Sequence, residues 1–389
     1  MENKLSESSL AKSKIEGLFD ATKKYKRTIF IVLLVVIVFL LPGLIFRTLV
    51  YIFDDLHNDG LAAIVWFSYL AFRIFACALL IWFSFQSFRR KKGFLKLYII
   101  VFLFLEIGFS LYTDSNGMVS FATVNWHCRY WHPVNQLGYR DREPQPDSLC
   151  QHKILTVGDS YTAGYALDDI NSRFDYLLQN RLGKDWCTYC VAEPGAETKE
   201  ELTRLKKFPV SGNYIVFGYY INDMDSVLFN HGISFPDPPE VTYGLNPLVT
   251  ASSVFNFLFF KYGYFFYDNP DYYKFMKEAY SNGDVLKEHY GDLRKIIDFA
   301  SASNAHLIVL VFPELNDLDA SNEMYVAKMI TFFQQYPVTV INVSDLVKNI
   351  PMEDRFASHT DTHPGPKVQQ VIADTLFYVI NDQQRIENQ

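Results

Sequence analysis

Long apolar runs mark the first third of the chain, and the remainder alternates short apolar runs with mixed polar segments. The three long runs cover residues 29–46, 61–85 and 94–112, and the first contains no charged residue. A helix of about 18 residues is about 27 Å long, close to the hydrocarbon thickness of a bilayer. The pattern predicts three transmembrane helices within residues 28–113.

A cleaved signal peptide is the alternative interpretation of the first run. That run is longer than the apolar core of a typical signal peptide. The residues after it, 42–47, also offer no small-residue cleavage site. We therefore expect a retained helix.

The charges that flank the runs predict their orientation. Four basic residues lie within positions 23–27 and four more at 89–92, whereas the segment 54–59, between the first and second runs, is acidic. Because basic flanks remain in the cytoplasm, residues 1–27 are expected to form a cytoplasmic tail. Everything after about Thr113 is then expected in the periplasm or extracellular space, and the chain in the inner or plasma membrane.

Two charged residues interrupt the apolar runs, Arg73 in the second and Glu106 in the third. Isolated charges in hydrocarbon are costly, so we expect the Arg73 side chain to lean outward and pair with Glu106. The alternatives are that each charge reaches water separately, or that the two belong to a transport site.

Beyond residue 151 the hydrophobic pattern alternates between strand-like and helix-like periods. The predicted strands are 154–157, 186–191, 213–218, 306–312 and 338–343. The predicted helices are 172–182, 199–207, 286–301, 323–335 and 367–380. This alternation predicts a three-layer α/β domain over residues 151–385, with a parallel sheet covered on both faces. Functional residues of such domains gather at the carboxyl ends of the strands.

Two segments do not fit the alternation. Residues 114–150 are polar and irregular, and we interpret them as an extracytoplasmic connector packed onto the following domain. Residues 224–282 interrupt the domain with a series of aromatic side chains between Phe255 and Tyr267. This insertion is predicted to be a hydrophobic helix against the sheet or the membrane region. The alternative is a lid over the site that touches the bilayer surface.

Ser160 and His363 are candidates for nucleophilic chemistry. Ser160 ends the tripeptide Gly158-Asp159-Ser160 directly after the first predicted strand, where its hydroxyl can project into a cleft. Asp361 stands two residues before His363 and can hold the imidazole in one tautomer. Taken alone, each pattern also has an ordinary structural interpretation, as a helix-capping turn and as a solvated loop.

Gly195 and Asn222 complete the set, because they follow the second and third predicted strands. The chain here resembles the SGNH (GDSL-like) hydrolase family, whose four blocks carry Ser, Gly, Asn and His in this order. The resemblance covers about residues 153–383 and implies a flavodoxin-like SGNH hydrolase fold. It implies Ser160 as nucleophile, His363 as general base and Asp361 as the acid. The Ser160 N–H, Gly195 and Asn222 would form the oxyanion hole.

Many members of that family place the acid three residues before the histidine, a position held here by Thr360. The spacing of Asp361 occurs in membrane-linked relatives, which the connector sequence 135–141 also resembles. Two further residues are supporting candidates. Asp159 is interpreted as a turn residue beside the nucleophile, and Arg140 as either lining the substrate cleft or bracing the domain.

The net charge of the chain and the spacing of its histidines limit the binding partners and metal ions that we expect. The net charge is −7 without an overall basic bias, so a nucleic-acid partner has no electrostatic support. His127, His132 and His359 lack metal-ligand spacing. We therefore expect neither a metal nor another cofactor.

Four cysteines lie on the side predicted to be oxidising, which allows three pairings: Cys128, Cys150, Cys187 and Cys190. A bond between Cys128 and Cys150 would fix the connector and is the predicted pair. Cys187 and Cys190 have the spacing of a redox motif, but they lie within a predicted strand rather than at the start of a helix.

The resemblance implies ester substrates, and the predicted topology places them outside the cytoplasm. The leading hypothesis is a membrane-anchored serine esterase acting on O-acyl groups, O-acetyl above all, of an extracytoplasmic glycan or envelope substrate. One alternative is an O-acyltransferase, which would need a multi-spanning partner to carry the acyl donor across the membrane. The others are a lipase or lysophospholipase, and a non-catalytic scaffold. The expected partners are the lipid bilayer and an acylated carbohydrate or lipid.

Overall fold

The computed structural model describes residues 59–86, 93–116, 120–145, 150–235, 247–263 and 271–387, together with Leu49. These residues divide into two compact units. The helical unit is drawn from positions 1–112 and 243–263, and the sheet unit from 113–242 and 264–389. The first predicted transmembrane helix, at 29–46, lies outside the described residues.

The helices and strands follow one another along the chain in this order: α1 (Asp59–Gln86), α2 (Gly93–Ser110), α3 (Phe121–Tyr130), β1 (His152–Gly158), α4 (Ser160–Ala163), α5 (Phe174–Leu182), β2 (Trp186–Ala192), α6 (Thr198–Lys207), β3 (Tyr214–Tyr219), α7 (Asp225–Asn230), α8 (Pro247–Ala251), α9 (Ser253–Tyr262), α10 (Tyr272–Ala279), α11 (Gly283–Ala302), β4 (His306–Val311), α12 (Leu318–Ser321), α13 (Ala327–Phe333), β5 (Thr339–Asn342), α14 (Val343–Val347), α15 (Met352–Arg355) and α16 (Pro366–Glu387). Short turns of 3-10 helix occur at Ile170–Ser172 and Ile221–Met224, and a π-helical turn at Asn322–Val326.

The helical unit contains α1, α2, α8 and α9, so the second and third apolar runs are helical as predicted. Within the described residues, one stretch is long and apolar enough to cross a membrane, Gly60–Trp82 in α1. The apolar part of α2, Leu97–Ser110, is shorter. Of the three predicted transmembrane helices, the described part of the chain thus shows one of spanning length.

The charged pair predicted within the apolar runs is present. Arg73 Nη2 lies 2.7 Å from Glu106 Oε2, and both side chains are buried. Arg73 Nη1 also donates to the Tyr69 hydroxyl at 2.8 Å. The contact pairs two charges that would each be costly if left isolated in apolar surroundings.

The sheet unit is built on five parallel strands in the order β2-β1-β3-β4-β5. Every residue of β2 and β3 is buried. Strands covered on both faces have continuous apolar sequences, which is why the pattern along the chain could locate them. The order is that of doubly wound, flavodoxin-like sheets, as expected.

Hydrophobic cores lie on both faces of this sheet. Successive side chains of a strand point to opposite faces, and β1 shows the division clearly. Leu155 packs in one core with side chains of α6, α11 and α13. Ile154 packs in the other with side chains of α5, α14 and α16. The three layers hold the strand ends rigidly, and the candidate site lies at their carboxyl edge.

Candidate active site

The sheet topology brings three of the predicted residues to one edge. Ser160 follows β1 and begins α4, Gly195 follows β2, and Asn222 lies on the 3-10 turn after β3. Because β1 lies between β2 and β3, the turns that carry Gly195 and Asn222 flank Ser160. His363 and Asp361 reach the same edge from the loop before α16.

A chain of hydrogen bonds joins Ser160, His363 and Asp361. His363 Nε2 lies 2.9 Å from Ser160 Oγ, and His363 Nδ1 lies 2.6 Å from Asp361 Oδ1. The backbone N–H of His363 donates to the same carboxylate oxygen at 3.0 Å. Since the carboxylate holds the Nδ1 proton, the lone pair of Nε2 faces the serine hydroxyl, as a general base requires.

The Asp361 carboxylate is placed to remain charged. Its side chain is 5% exposed, and burial raises its pKa. The hydrogen bonds and charge of His363 outweigh burial, so the pKa of Asp361 lies below its ordinary value. The group is therefore ionised at neutral pH and can stabilise positive charge on the imidazole.

Two glycines explain the local sequence at the serine. Gly158 and Gly218 face each other across β1 and β3, and a Cβ atom on either would overlap the Thr162 side chain in α4. The first turn of α4 can therefore pack against the strand ends. Asp159 caps this helix, because its carboxylate accepts from the backbone N–H of Tyr161 at 2.9 Å. Its predicted role in the turn agrees with this contact.

Buried carboxyl groups surround this turn, and two of them had not been singled out from the sequence. Burial raises the pKa of Asp159 to about 6, although hydrogen bonds, including one to Asn222, lower it. Burial raises the pKa of Glu201 in α6 and of Asp223 well above their ordinary values, and the Asp159 charge adds to both shifts. The sequence contains one indication that Glu201 is buried. Glu201 stands four residues before Leu205 and therefore lies on the same face of α6 as that apolar side chain.

The backbone of Gly195 takes a conformation that favours glycine, with φ +78°. No heavy atom outside its chain neighbours lies within 4 Å of a Cβ built there, among the described residues. Asn222 Oδ1 is buried without a hydrogen-bond partner in the described part of the chain. Both residues stand where the resemblance expects them, and their roles as oxyanion donors stay predictions.

The Arg140 guanidinium braces the domain. Its nitrogens donate to the carbonyl oxygens of Gly164, Leu167 and Tyr130 at 2.6, 2.7 and 2.7 Å. The group lies 4.8 Å from the centre of the Trp131 ring, and the residue is 1% exposed. Of the two roles left open by the sequence, these contacts correspond to bracing the loop after α4.

The start of the connector enters the site, which the sequence analysis had not anticipated. Thr360 Oγ1 donates to Asp114 Oδ1 at 2.6 Å, and Asn116 Nδ2 donates to the Thr360 carbonyl at 2.5 Å. The Ser115 side chain hydrogen-bonds Asp361, which lowers the pKa of that carboxyl. Thr360, which stands where many members of the family that the chain resembles have the acid, is thus a residue by which the connector holds the Asp361 loop.

A cluster of tyrosines and one glutamate forms another side of the site. The rings of Tyr161 and Tyr220 stack with centres 3.7 Å apart, and the Tyr161 hydroxyl donates to that of Tyr220 at 2.8 Å. Tyr220 donates in turn to Glu314, three residues beyond β4. Burial raises the pKa of Glu314. The Tyr161 ring lies 5.2 Å from that of His363, so this cluster adjoins the base.

The disulfide prediction was wrong. Cys150 is bonded to Cys187, whereas Cys128 is buried and takes no part in this disulfide. The pairing of β1 with β2 explains the change: His152 lies opposite Trp186, so Cys150 and Cys187 come within 5.7 Å between Cα atoms. The spacing of cysteines along the chain carries no information on this register.

The remaining histidines have structural contacts. The His127 ring stacks on Trp131 with centres 5.5 Å apart, and His132 Nε2 lies 3.0 Å from the Cys128 carbonyl oxygen. Among the residues that the structure describes, no group of three His, Cys, Asp or Glu side chains is arranged to hold a metal ion.

Comparisons with known proteins give only distant likenesses. No protein-family model matches the chain, and no curated protein sequence matches it. A putative lipolytic protein of the G-D-S-L family from Desulfitobacterium hafniense has a similar structure, with 9% identity, TM-score 0.38, and coverage of 58% of this chain and 98% of its own. An esterase from Pseudoalteromonas is 15% identical, with TM-score 0.37 and coverage of 60% and 99%. An acetyl xylan esterase is 13% identical, with TM-score 0.37 and coverage of 59% and 99%. Identities and TM-scores this low carry no argument about this chain. Its fold is shown by the strand order, and its candidate chemistry is argued from the site geometry described above.

Proposed function

We propose that this protein is a membrane-anchored serine esterase that cleaves O-acyl groups, O-acetyl in particular, from a glycan or other envelope substrate outside the cytoplasm. The observation that carries the proposal is the hydrogen-bonded series Ser160, His363 and Asp361 at the carboxyl edge of a parallel sheet. A serine, a base in the correct tautomer and a charged orienting group are the parts that acyl transfer through serine needs.

In the proposed reaction, His363 takes the Ser160 proton as Oγ attacks the ester carbonyl. Asp361 stabilises the imidazolium that forms. The C–O bond to the alcohol then breaks, and the alcohol leaves with the proton from His363. Water, deprotonated by His363, attacks the acyl group on Ser160, which releases the acid and restores the serine hydroxyl.

The negative charge on the substrate oxygen needs donors that are already in position. The Ser160 and Gly195 N–H groups and the Asn222 amide are the proposed donors. The strand order supports this, because it sets the turns of Gly195 and Asn222 on either side of Ser160. Donors held by a rigid sheet edge need little reorganisation during the reaction.

Two observations support the proposed location at a membrane and the proposed class of substrate. The apolar stretch Gly60–Trp82 is long enough to anchor the chain in a bilayer. The rings of Tyr161 and Tyr165 lie 5.2 and 4.9 Å from the His363 ring. Tyrosine combines an apolar ring with a polar hydroxyl, which suits the mixed surface of an acylated sugar.

The test uses the purified full-length chain and aryl esters of increasing acyl length, with and without glycan acceptors. We expect the acetate to be cleaved fastest, Ser160→Ala to lose nearly all activity, and Ser303→Ala, at an exposed position, to retain it. A serine-directed phosphonate should label Ser160. Labelling of a different residue, or near-parental turnover by Ser160→Ala, would refute the assignment. Acyl transfer to the glycan in excess of hydrolysis would identify the transferase alternative.

A further inference from the structure

The helical unit has its polar side chains inside and many apolar ones outside. Its buried polar residues include a charged pair, three serines and an amide: Arg73, Glu106, Ser110, Ser252, Ser253 and Asn256. Large apolar side chains are exposed on all four helices, among them Phe75, Phe104, Leu248 and Leu258. A small apolar cluster of Cys77, Ile81 and Leu103 is buried between the helices as well. The exposed apolar side chains are therefore the feature of this unit that needs an explanation.

Glu106 joins the insertion to the apolar helices. Besides Arg73, its carboxylate accepts from the backbone N–H groups of Ser253 and Val254, at 2.9 and 3.3 Å, and from the Ser252 hydroxyl. These groups form the first turn of α9, where unpaired N–H groups and the helix dipole favour a negative charge. One carboxylate of α2 therefore satisfies both a guanidinium of α1 and the start of α9.

Other contacts continue this packing along α2. Ser110 Oγ lies 2.8 Å from Ser253 Oγ. The Phe109 and Phe257 rings stack with centres 4.3 Å apart. Within the predicted insertion 224–282, α9 is thus a hydrophobic helix held against α2, which corresponds to the predicted packing on the apolar helices.

The exposed apolar side chains are those expected of helices surrounded by hydrocarbon. In water, large apolar side chains are placed inside, because burial of apolar area is the main stabilising force. In hydrocarbon the reverse holds, since every polar group must find its partner within the protein and apolar side chains lose nothing by facing lipid. The surfaces of α8 and α9 are apolar like that of α1. Among the described residues, the stretch Gly60–Trp82 of α1 is the one long and apolar enough to cross a membrane.

The lengths of α8 and α9 decide how they could enter a bilayer. α9 has 10 residues and α8 has 5, so they extend about 15 and 8 Å. Neither can cross about 30 Å of hydrocarbon. Both ends of the segment 243–263 continue into the sheet unit, so the chain must leave on the side from which it entered.

We propose that α8 and α9 form a re-entrant helix pair, with the side chains of Leu248, Phe255 and Leu258 in contact with lipid acyl chains. The proposal rests on the membrane anchoring proposed above. The sheet unit would then be attached to the bilayer at two points along the chain, at residue 112 and again at 243–263. Glu106 holds the second attachment in place.

The experiment places an environment-sensitive probe on single cysteines of the full-length chain in phosphatidylcholine vesicles. Leu258→Cys tests the insertion, Phe75→Cys in α1 reports the anchor, and Phe229→Cys, exposed in the sheet unit, reports water. The parent chain is the blank, because its cysteines outside the disulfide, Cys77, Cys128 and Cys190, are buried. We expect spin-labelled acyl chains to quench the probes at 258 and 75, and aqueous iodide to quench only the probe at 229.

The outcomes separate the two proposals. Quenching by iodide at 258 but not at 75 overturns the re-entrant pair and leaves the anchor intact, whereas quenching by iodide at both positions overturns the anchor. A probe at 258 that neither quencher reaches indicates a covering protein and overturns contact with lipid.

A second variant tests the role of Glu106. Glu106→Gln removes the charge that meets the first turn of α9, and we expect the probe at 258 to become accessible to iodide while the probe at 75 stays protected. Glu323→Gln, an exposed glutamate of the sheet unit, is the matched control and should leave both probes unchanged. An unchanged probe at 258 in Glu106→Gln would show that Glu106 does not hold the insertion.

Discussion

Asn222 has two contrasting interpretations at the scale of a single residue. Its side chain lies on the turn after β3 and hydrogen-bonds Asp159, the residue before the nucleophile. One interpretation is that the amide donates to the oxyanion, and the other is that it only stabilises the turn. The two interpretations predict effects on different steps. An oxyanion donor stabilises mainly the transition state, whereas a group that stabilises the turn acts on the folded protein throughout.

Replacing Asn222 with alanine separates these roles. If the amide serves the oxyanion, kcat should fall on the order of 10²–10³, about 3–4 kcal/mol, with little change in KM or melting temperature. Asn230→Ala, at an exposed asparagine outside the site, should leave kcat unchanged. Melting temperature, kcat and KM are measured on the same preparation. A destabilised Asn222→Ala that keeps most of its kcat would rule out the oxyanion role.

At the scale of elements, the connector contributes directly to the catalytic loop. Asp114 and Asn116 hold Thr360 through its hydroxyl and its carbonyl, and Ser115 hydrogen-bonds Asp361. The Tyr165 hydroxyl donates to the Ser115 carbonyl at 3.2 Å, and its ring adjoins His363. We infer that Ser115 is a positioning residue, since it acts on the base through Asp361.

Ser115→Ala tests this inference. Hydrogen bonds to charged groups are worth about 1.5–3 kcal/mol, so loss of this one should lower kcat by roughly tenfold or more with KM little changed. Ser115→Thr keeps a hydroxyl and should restore most of the rate. Steady-state kinetics with an aryl acetate gives both constants. Equal losses in the alanine and threonine variants would show that packing, and not the hydroxyl, is what matters.

At the scale of the whole molecule, the flanking charges predict which side of the membrane each segment occupies. Fusion of a reporter after Lys92 should give cytoplasmic activity, and fusion after Asn116 should give activity outside. The basic residues at 23–27 and 89–92 are the physical reason, because positive flanks resist translocation. The reverse pattern would overturn both the orientation and the proposed extracytoplasmic substrate.

Local patterns along the chain were sufficient for the parallel sheet, and they placed Ser160, Gly195 and Asn222 directly after its first three strands. Their grouping with His363 as one site came from the family resemblance and not from the patterns alone. Buried strands and amphipathic helices differ in period over a few residues, and the ends of parallel strands share one edge. The pair Arg73 and Glu106 was also accessible from sequence, because lone charges in apolar runs need partners.

Contacts between distant segments were decided by the tertiary structure alone. Asp114 and Thr360 are 246 residues apart, and Glu106 and Ser253 are 147 apart. The partner of Cys150 depended on the register of β1 against β2, and the bracing role of Arg140 on the path of the loop after α4. Periodicity and composition record only what lies within a few residues of a position, whereas these contacts form when the chain folds back on itself.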